Sequence, residues 1–370
     1  MHILMVIVII VIIIILFLLF IVYDRFSSQL TDDQTKYIIN FNKINDIREV
    51  TALDFPRNTQ KNIGIRKTGE VFSMLNDSEK QIINIKQTDD KFFDGHMEAG
   101  LMGIASHPDF INNSKIYLSY TTKTDRSING VFMVVNEYFY DGITLVKTKE
   151  LFSQWYTTDY HHAGTLAFSN SKLYLSSGDG GPQGDPENQA QNPRSFRGKI
   201  ISIDVNSGAF ETVATGLRNP WKITITDRKM LIGDVGYNDL ERIYRFNLDS
   251  DIMPNYGWPL FEGTLQRDVT SDKKNYVMPV FEYPIGNYTG RATVGGYYMG
   301  NLKVYIIGDF LGRMRILRED DGILTEVGSK TFSDKIYSLA YDFNTGKYFI
   351  LGMNGITELI ITKNIIQPPI

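Results

Sequence analysis

The sequence predicts an all-β fold, a six-bladed β-propeller, preceded by a single N-terminal transmembrane helix. A short run of β-forming residues that ends in a turn residue occurs six times, at intervals of about 45 to 75 residues. Helical periodicity is sparse along the same part of the chain. A strand-rich repeat of this length is typical of propeller blades. An unbroken apolar run near the N-terminus predicts the helix.

Each repeat predicts one blade, a small sheet that cannot bury both faces alone and therefore stacks on its neighbours around a central axis. We expect a strand within residues 46–54 to close the ring by joining the last blade beside residues 356–361. An elongated solenoid is the alternative, but the repeats vary too much in length to favour it. The six copies of the pattern lie at 69–73, 115–120, 172–179, 230–234, 304–309 and 347–352.

The apolar run covers residues 3–22, with no charged residue before Asp24. About 20 helical residues span the roughly 30 Å hydrocarbon core of a bilayer. A cleaved signal peptide would have a basic start and a shorter apolar stretch, and both are missing. We therefore expect an anchor at 1–23, a connector at 24–37 and the propeller at 38–370, with the propeller outside the cytoplasm on a single-pass membrane protein.

Composition excludes several classes of function. The chain of 370 residues has no cysteine, so it forms neither disulfides nor thiolate metal sites. Its net charge is −4, with acidic and basic residues interspersed and no basic block. This pattern argues against nucleic acid as a partner.

Residues 160–181 predict a β-hairpin that carries a candidate catalytic pair. Two alternating strands flank a polar turn, so His161, before the first strand, and Asp179, after the second, lie at the same end. An imidazole beside a carboxylate can abstract a proton, because the carboxylate fixes the tautomer and stabilises the imidazolium. The alternative is that the Gly-Asp-Gly-Gly run at 178–181 forms only a turn.

Five further segments carry motifs in a fixed order, and together they resemble the quinoprotein glucose/sorbosone dehydrogenase family. The resemblance covers about residues 64–361, and the segments VGGYY (294–298) and GDFLGR (308–313) are most similar to the branch that includes hedgehog-interacting proteins. It implies a six-bladed propeller that oxidises sugars with pyrroloquinoline quinone (PQQ) and calcium. The five segments are GLMGIASHPDF (100–110), RGKIISID (197–204), GLRNPW (216–221), GDVGYNDLERI (233–243) and NYGWP (255–259).

The resemblance also implies roles for individual residues. His161 matches the general base and Asp179 the carboxylate that orients it. Arg218 and Asn219 match the pair that contacts the quinone, where a cation and an amide stabilise negative charge. The remaining implied positions are Glu98, Lys335 and Tyr337 for the cofactor, Gly236 and Tyr237 for calcium through their carbonyl oxygens, and Tyr256 for a second calcium.

Several positions depart from the family pattern. Glu98 replaces a glutamine, and Lys335 and Tyr337 replace two arginines that clamp the cofactor. Loss of an arginine fork weakens binding of a carboxylate. Arg242 replaces a calcium-binding glutamate, so the second metal site is in question.

Two functions follow from these observations. The first is a membrane-anchored dehydrogenase that oxidises a sugar or polyol hydroxyl and passes electrons to an external acceptor. The alternative is a catalytically silent propeller that binds a protein or glycan ligand. His161, Asp179, Arg218 and Asn219 favour the enzyme, and the departures favour the binding protein. Trp258, in NYGWP, is expected to pack between blades.

Overall fold

The computed structural model describes residues 35–365, except 76–77, 97, 124 and 126–128. The predicted anchor at 1–23 therefore lies outside the described residues. Among the residues that are described, no helix is long and apolar enough to cross a membrane. The larger of two compact units is Asn40–Ile360. The described residues of the other unit are 35–39, at the N-terminal end of the first strand, and 361–365, at the C-terminal end of the last strand.

Six four-stranded antiparallel sheets make up the described chain, which confirms the predicted six-bladed propeller. The first strand, β1 (Thr35–Asn45), belongs to the last sheet. The first three blades are blade 1, with β2 (Val50–Asp54), β3 (Asn62–Arg66), β4 (Glu70–Leu75) and β5 (Ser78–Asn84); blade 2, with β6 (Leu101–Ser106), β7 (Lys115–Thr122), β8 (Val131–Tyr140) and β9 (Leu145–Tyr156); and blade 3, with β10 (Ala163–Ser169), β11 (Lys172–Ser177), β12 (Lys199–Asp204) and β13 (Phe210–Thr215).

The second half of the propeller follows the same order of strands. A two-stranded hairpin, β17 (Phe261–Glu262) and β18 (Leu265–Gln266), interrupts blade 4. Short helices α1 (Ile85–Thr88) and α2 (Phe110–Asn113) and a 3₁₀ turn (Lys273–Asn275) lie in connections. The last three blades are blade 4, with β14 (Pro220–Thr226), β15 (Lys229–Asp234), β16 (Leu240–Asn247) and β19 (Phe281–Pro284); blade 5, with β20 (Thr293–Met299), β21 (Val304–Asp309), β22 (Arg313–Asp320) and β23 (Ile323–Thr331); and blade 6, with β24 (Ile336–Asp342), β25 (Lys347–Gly352), β26 (Gly355–Ile365) and β1.

Ring closure differs from the prediction. The strand that joins blade 6 beside β26 is β1, Thr35–Asn45, whereas Val50–Asp54 is the inner strand of blade 1. The expected closure by residues 46–54 was therefore wrong. Both segments are β-forming, and the sequence of neither one specifies its partner strand.

The first copy of the repeat also has a different place from the others. Residues 69–73 fall on the third strand of blade 1, whereas the other five copies coincide with second strands. The second strand of blade 1 carries Gly64, and the Phe72 ring lies against it where a Cβ atom would collide. A glycine at this position weakens the strand pattern in the sequence.

Hydrophobic cores fill the spaces between neighbouring blades. Ile63 and Val71 of blade 1 share a cluster with Leu101 and Ile116 of blade 2. Each inner strand contacts the inner strands of both adjacent blades, including β24 with β2. The segments that precede β6, β10 and β14 therefore meet near the axis, and these segments carry the candidate site.

Candidate active site

The predicted hairpin is confirmed. Strand β10 pairs with β11 with Phe168 opposite Leu173, and Ala163 lies opposite Ser177. Gly178 lies directly against the carbonyl of His161, where a Cβ atom would collide with the oxygen. The hairpin therefore brings His161 and Asp179 to the same end.

The structure also brings Arg218, from the start of blade 4, to the predicted pair. His161 Nδ1 lies 2.9 Å from Asp179 Oδ1, and its Nε2 lies 3.0 Å from Arg218 Nη2. A guanidinium can only donate, so Nε2 accepts and the imidazole proton is on Nδ1, where it is donated to Asp179. All three side chains are buried. A neutral imidazole in this tautomer carries its one available lone pair on Nε2, the atom that a general base uses, and Arg218 donates to it in this arrangement.

Asp179 is fixed by two further donors. The Gly181 amide donates to Oδ1 over 2.9 Å, and the Trp258 indole Nε1–H donates to Oδ2 over 2.9 Å. Every oxygen of this fully buried carboxylate therefore has a partner. Trp258 thus holds the carboxylate as well as packing, a role that the sequence analysis missed. An indole donor near a buried acid gives no local signal in the sequence, since 79 residues separate the two.

Arg218 and Asn219 each keep an uncommitted polar atom. Arg218 donates to Gln183 Oε1 over 2.8 Å and to the carbonyl of Val235 over 3.2 Å. Burial lowers the pKa of Arg218, and nearby Asp179 opposes that shift. Within the described chain, Arg218 Nε and Asn219 Oδ1 are buried without any hydrogen-bond partner. Buried polar atoms are normally satisfied, so these two are the ones a bound molecule would contact.

Glu98 lies in the same cluster and bridges two of its members. Its Oε2 accepts from the backbone N–H of His161 over 2.8 Å and from Asn219 Nδ2 over 3.1 Å. The carboxylate therefore fixes the backbone that carries the imidazole. Neighbouring His162 is fully buried, with Nε2 3.1 Å from the Thr158 carbonyl oxygen. Burial lowers the pKa of His162, and the carbonyls of Thr158 and Glu98 beside its ring oppose that shift.

Lys335 and Tyr337 stand apart from this network. The exposed Lys335 ammonium lies 5.2 Å from the centre of the Phe310 ring. The carbonyl of half-buried Tyr337 accepts from the Trp221 indole over 3.4 Å. In the part of the chain that is described, no hydrogen bond or ion pair joins either side chain to His161 or Arg218.

The loop that carries Gly236 and Tyr237 surrounds a buried guanidinium. Arg242 donates to Asp234 Oδ2 over 2.7 Å, and to the carbonyls of Val235 over 2.9 Å and Leu240 over 3.1 Å. Glu262 lies 3.6 Å from the same guanidinium. Its Oε1 also accepts from the four successive backbone N–H groups of residues 237–240. A side-chain cation therefore neutralises the oxygens of this loop.

The oxygen atoms at the predicted second calcium position are also engaged within the protein. Tyr256 is fully buried, stacks on Tyr244 with ring centres 4.3 Å apart, and its carbonyl accepts from the Tyr244 hydroxyl over 3.5 Å. Among the described residues, no group of three or more histidine, aspartate and glutamate side chains could hold a metal ion. Calcium takes six to eight oxygen ligands. Tyr256 and Arg242 do not provide such a set.

Comparisons with known proteins identify relatives of this chain. Residues 51–305 match the family described as glucose/sorbosone dehydrogenase. The HIPL2 protein of Arabidopsis thaliana is 25% identical over 307 residues, which covers 60% of this chain and 43% of the relative. Quinoprotein glucose dehydrogenase B of Acinetobacter calcoaceticus is 26% identical over 260 residues, which covers 60% of this chain and 53% of the relative. The chain thus spans about half the length of these curated relatives.

The fold is shared with solved structures of lower sequence identity. The soluble aldose sugar dehydrogenase of Escherichia coli, in its apo form, superposes with a TM-score of 0.70 at 17% identity. The superposition covers 89% of this chain and all of that one. A likeness at this identity shows the propeller fold alone.

Proposed function

Because this chain belongs to the glucose/sorbosone dehydrogenase family, we propose that it oxidises a hydroxyl group of a sugar or polyol with His161 as the general base. One observation carries the proposal: the imidazole is held between Asp179 at 2.9 Å and Arg218 at 3.0 Å. The carboxylate sets the tautomer, and the Nε2 lone pair, which accepts from Arg218 in the absence of substrate, would receive the substrate proton once the guanidinium moves aside.

Protonation of His161 would change its contact with Arg218. Once Nε2 carries a proton it can only donate, and the guanidinium can only donate too, so this hydrogen bond is lost. Asp179 then stabilises the imidazolium through Nδ1. The freed Nη2 of Arg218 becomes available to negative charge that develops beside it. Proton uptake by the base and release of the cation are therefore linked.

The uncommitted atoms of the site support a quinone cofactor. Arg218 Nε and Asn219 Oδ1 are buried and without partners: Arg218 Nε would donate to a quinone oxygen of PQQ, whereas Asn219 Oδ1 can only accept and would take an N–H or O–H of a bound molecule. When bound, PQQ would supply the two-electron acceptor for the hydride of the substrate carbon, and an external acceptor would then take the electrons. A quinoprotein among the curated relatives supports the same cofactor class. Glu98, through its bond to Asn219, would position the amide.

Calcium is proposed only together with the cofactor. The carbonyl oxygens of Gly236 and Tyr237 are two ligands, and the bound quinone would have to supply part of the remainder. The Tyr256 position does not fit a cation, because its carbonyl accepts from the Tyr244 hydroxyl and the position of the expected glutamate ligand is taken by Arg242, which is itself a cation. We propose no step through a second metal.

The apolar run at 3–22 supports attachment to a membrane, with the propeller outside the cytoplasm. A silent propeller that binds a protein or glycan is the second candidate. The observation that favours it is the identity of Lys335 and Tyr337: a lysine and a tyrosine stand where two arginines would clamp the cofactor carboxylates, and neither has the guanidinium fork.

Reconstitution of the full chain with PQQ and calcium, followed by dye-linked oxidation of a panel of aldoses and polyols, tests the proposal. We expect cofactor-dependent dye reduction that His161→Ala abolishes while its thermal unfolding stays cooperative. His107→Ala, which removes a half-buried histidine outside the site, is the matched control and should retain activity. Absence of PQQ binding would favour the silent propeller, and full activity of His161→Ala would remove the proposed base.

A further inference from the structure

A cavity of about 580 Å³ lies among the inner strands of all six blades, separate from the site at His161. Neither His161, Asp179 nor Arg218 lines it. The volume is within the range of about 300–1,000 Å³ that is typical of small-molecule sites. Each inner strand contributes to the lining, as shown by Thr51, Met102, Thr165, Lys222, Tyr297 and Ser338.

Lys222 is the notable group of this cavity. Its side chain is surrounded by protein but is partly accessible, and it lines the cavity. In the described part of the chain its ammonium has no hydrogen bond and no ion pair. Burial lowers the pKa of Lys222 to about 8. An enclosed ammonium without a counter-charge is costly unless an anion pairs with it.

The acidic groups of the cavity do not supply that anion. The Asp54 carboxylate accepts from the Ser106 amide over 3.2 Å, and burial raises its pKa to about 6 without any cation opposing the shift. Burial alone accounts for the lowered pKa of Lys222, so no carboxylate compensates its charge. The other titratable or charged groups along the lining are Arg57, His107, Asp227, Arg228, Tyr297 and Tyr341.

The neighbouring cations are already engaged. Arg57 lies over the Phe343 ring at 4.6 Å, and Arg228 pairs with Asp249. Arg57 is exposed to solvent, so Lys222 is the enclosed lysine or arginine of the described lining that has neither an ion pair nor a hydrogen bond. An anion that enters the cavity would be drawn to it.

Three hydroxyl groups of the lining indicate what else the anion would carry. Thr51, Thr165 and Ser338 each donate to a backbone carbonyl, over 3.3, 2.6 and 3.3 Å. Their hydrogens are committed, but each oxygen can still accept. A ligand with hydroxyl groups of its own would satisfy these acceptors.

We propose that this cavity, which we name the axial cavity, binds a small polyhydroxylated carboxylate, a sugar acid, with its carboxylate on Lys222. The site is distinct from the one at His161, and the proposal does not depend on oxidation there. Aromatic faces of Trp221 and Tyr297 in the same lining suit the carbon skeleton of such a ligand.

Calorimetric titration of the full chain with gluconate tests the proposal, with neutral glucose as the comparison ligand. We expect saturable binding at pH 7 that Lys222→Met weakens by about 10- to 100-fold, the usual effect of losing a charged hydrogen bond. Lys222→Arg should retain most of the affinity. Affinity should fall about tenfold from pH 7 to pH 9, because Lys222, with a pKa near 8, loses its charge.

Two controls locate the binding of gluconate at Lys222. Lys229→Met removes an exposed lysine of the neighbouring strand and should leave binding unchanged. His161→Ala should also bind gluconate normally, whereas loss of binding there would move the ligand to the other site and overturn the proposal. Failure of the wild-type protein to bind gluconate, or equal binding by a folded Lys222→Met variant, would overturn it as well.

Discussion

Replacement of Asp179 by asparagine gives a sharp test of the site, because the change is nearly isosteric and the hydrogen bonds are fully defined. Asp179 accepts from three donors: His161 Nδ1, the Gly181 amide and the Trp258 indole. An asparagine has one accepting oxygen and one donating NH₂ group. In one orientation the NH₂ faces the Trp258 N–H, and in the other it faces Gly181 and His161. In either orientation the NH₂ group of the asparagine therefore faces at least one N–H group of the protein, and neither donor has an acceptor.

The cost can be estimated from these contacts. A buried donor left without an acceptor costs about 1–3 kcal/mol, so we expect the free energy of unfolding of Asp179→Asn to fall by about that amount. The imidazole also loses the charge that stabilises its protonated form. Because acid–base catalysis contributes about 10²- to 10⁴-fold, we expect turnover to fall within that range. Urea unfolding and dye-linked kinetics measure the two effects separately.

Asp185→Asn is the matched control. Asp185 is also buried, and its two oxygens accept from the backbone amides of Gln189 and Ala190 at 2.8 Å each. The same substitution should therefore cost about 1–3 kcal/mol of stability. Its side chain does not contact His161 in the described structure, so turnover should be retained. Undiminished turnover in Asp179→Asn, or an equal loss in both variants, would refute the reasoning.

Three further predictions concern the internal cations. Arg242→Met should destabilise the protein by about 3–5 kcal/mol in urea unfolding, because it leaves buried Asp234 and Glu262 without their cation, whereas breaking the exposed pair of Arg228 with Asp249 should have a much smaller effect. Since Arg242 already neutralises the loop at 234–240, a chelator should leave the melting temperature of the cofactor-free protein unchanged, and a clear drop would reveal a structural metal. Burial depresses the pKa of Lys222 to about 8, so the charged side chain destabilises the folded state fully below pH 8, and this penalty falls as pH rises from about 8 towards the pKa of the unfolded chain. The stability advantage of Lys222→Met over the wild type should therefore shrink by about 2 kcal/mol between pH 6.5 and 9.5. A difference that does not change with pH would contradict this.

The features of the fold that could be predicted from the sequence depend on residues that lie close together in the chain. Alternation of apolar residues predicted the hairpin at 160–181, and the register of Phe168 opposite Leu173 agrees with it. That hairpin alone is enough to place His161 near Asp179, because its two ends are tied by adjacent strands. The number of blades also follows from the repeat, even though one copy marks a third strand.

Contacts between blades were decided by the tertiary structure. Arg218 reaches His161 across 57 residues because β10 and β14 are neighbouring inner strands that start at the same end of the axis. Trp258 reaches Asp179 from a loop of blade 4, and Arg242 turns inward to Asp234. The closing strand was likewise fixed at Thr35–Asn45 by its pairing with β26.

The amino-acid sequence by itself determined the strands, the blades and the pair at the ends of one hairpin, since these depend on residues close together in the chain. It did not determine that the imidazole would carry a guanidinium on its other nitrogen, or that an arginine would neutralise the loop at 234–240. Strand periodicity states which face of a sheet a side chain occupies. Which side chain from another blade meets it there depends on how six sheets close around one axis, and only the folded ring sets those distances.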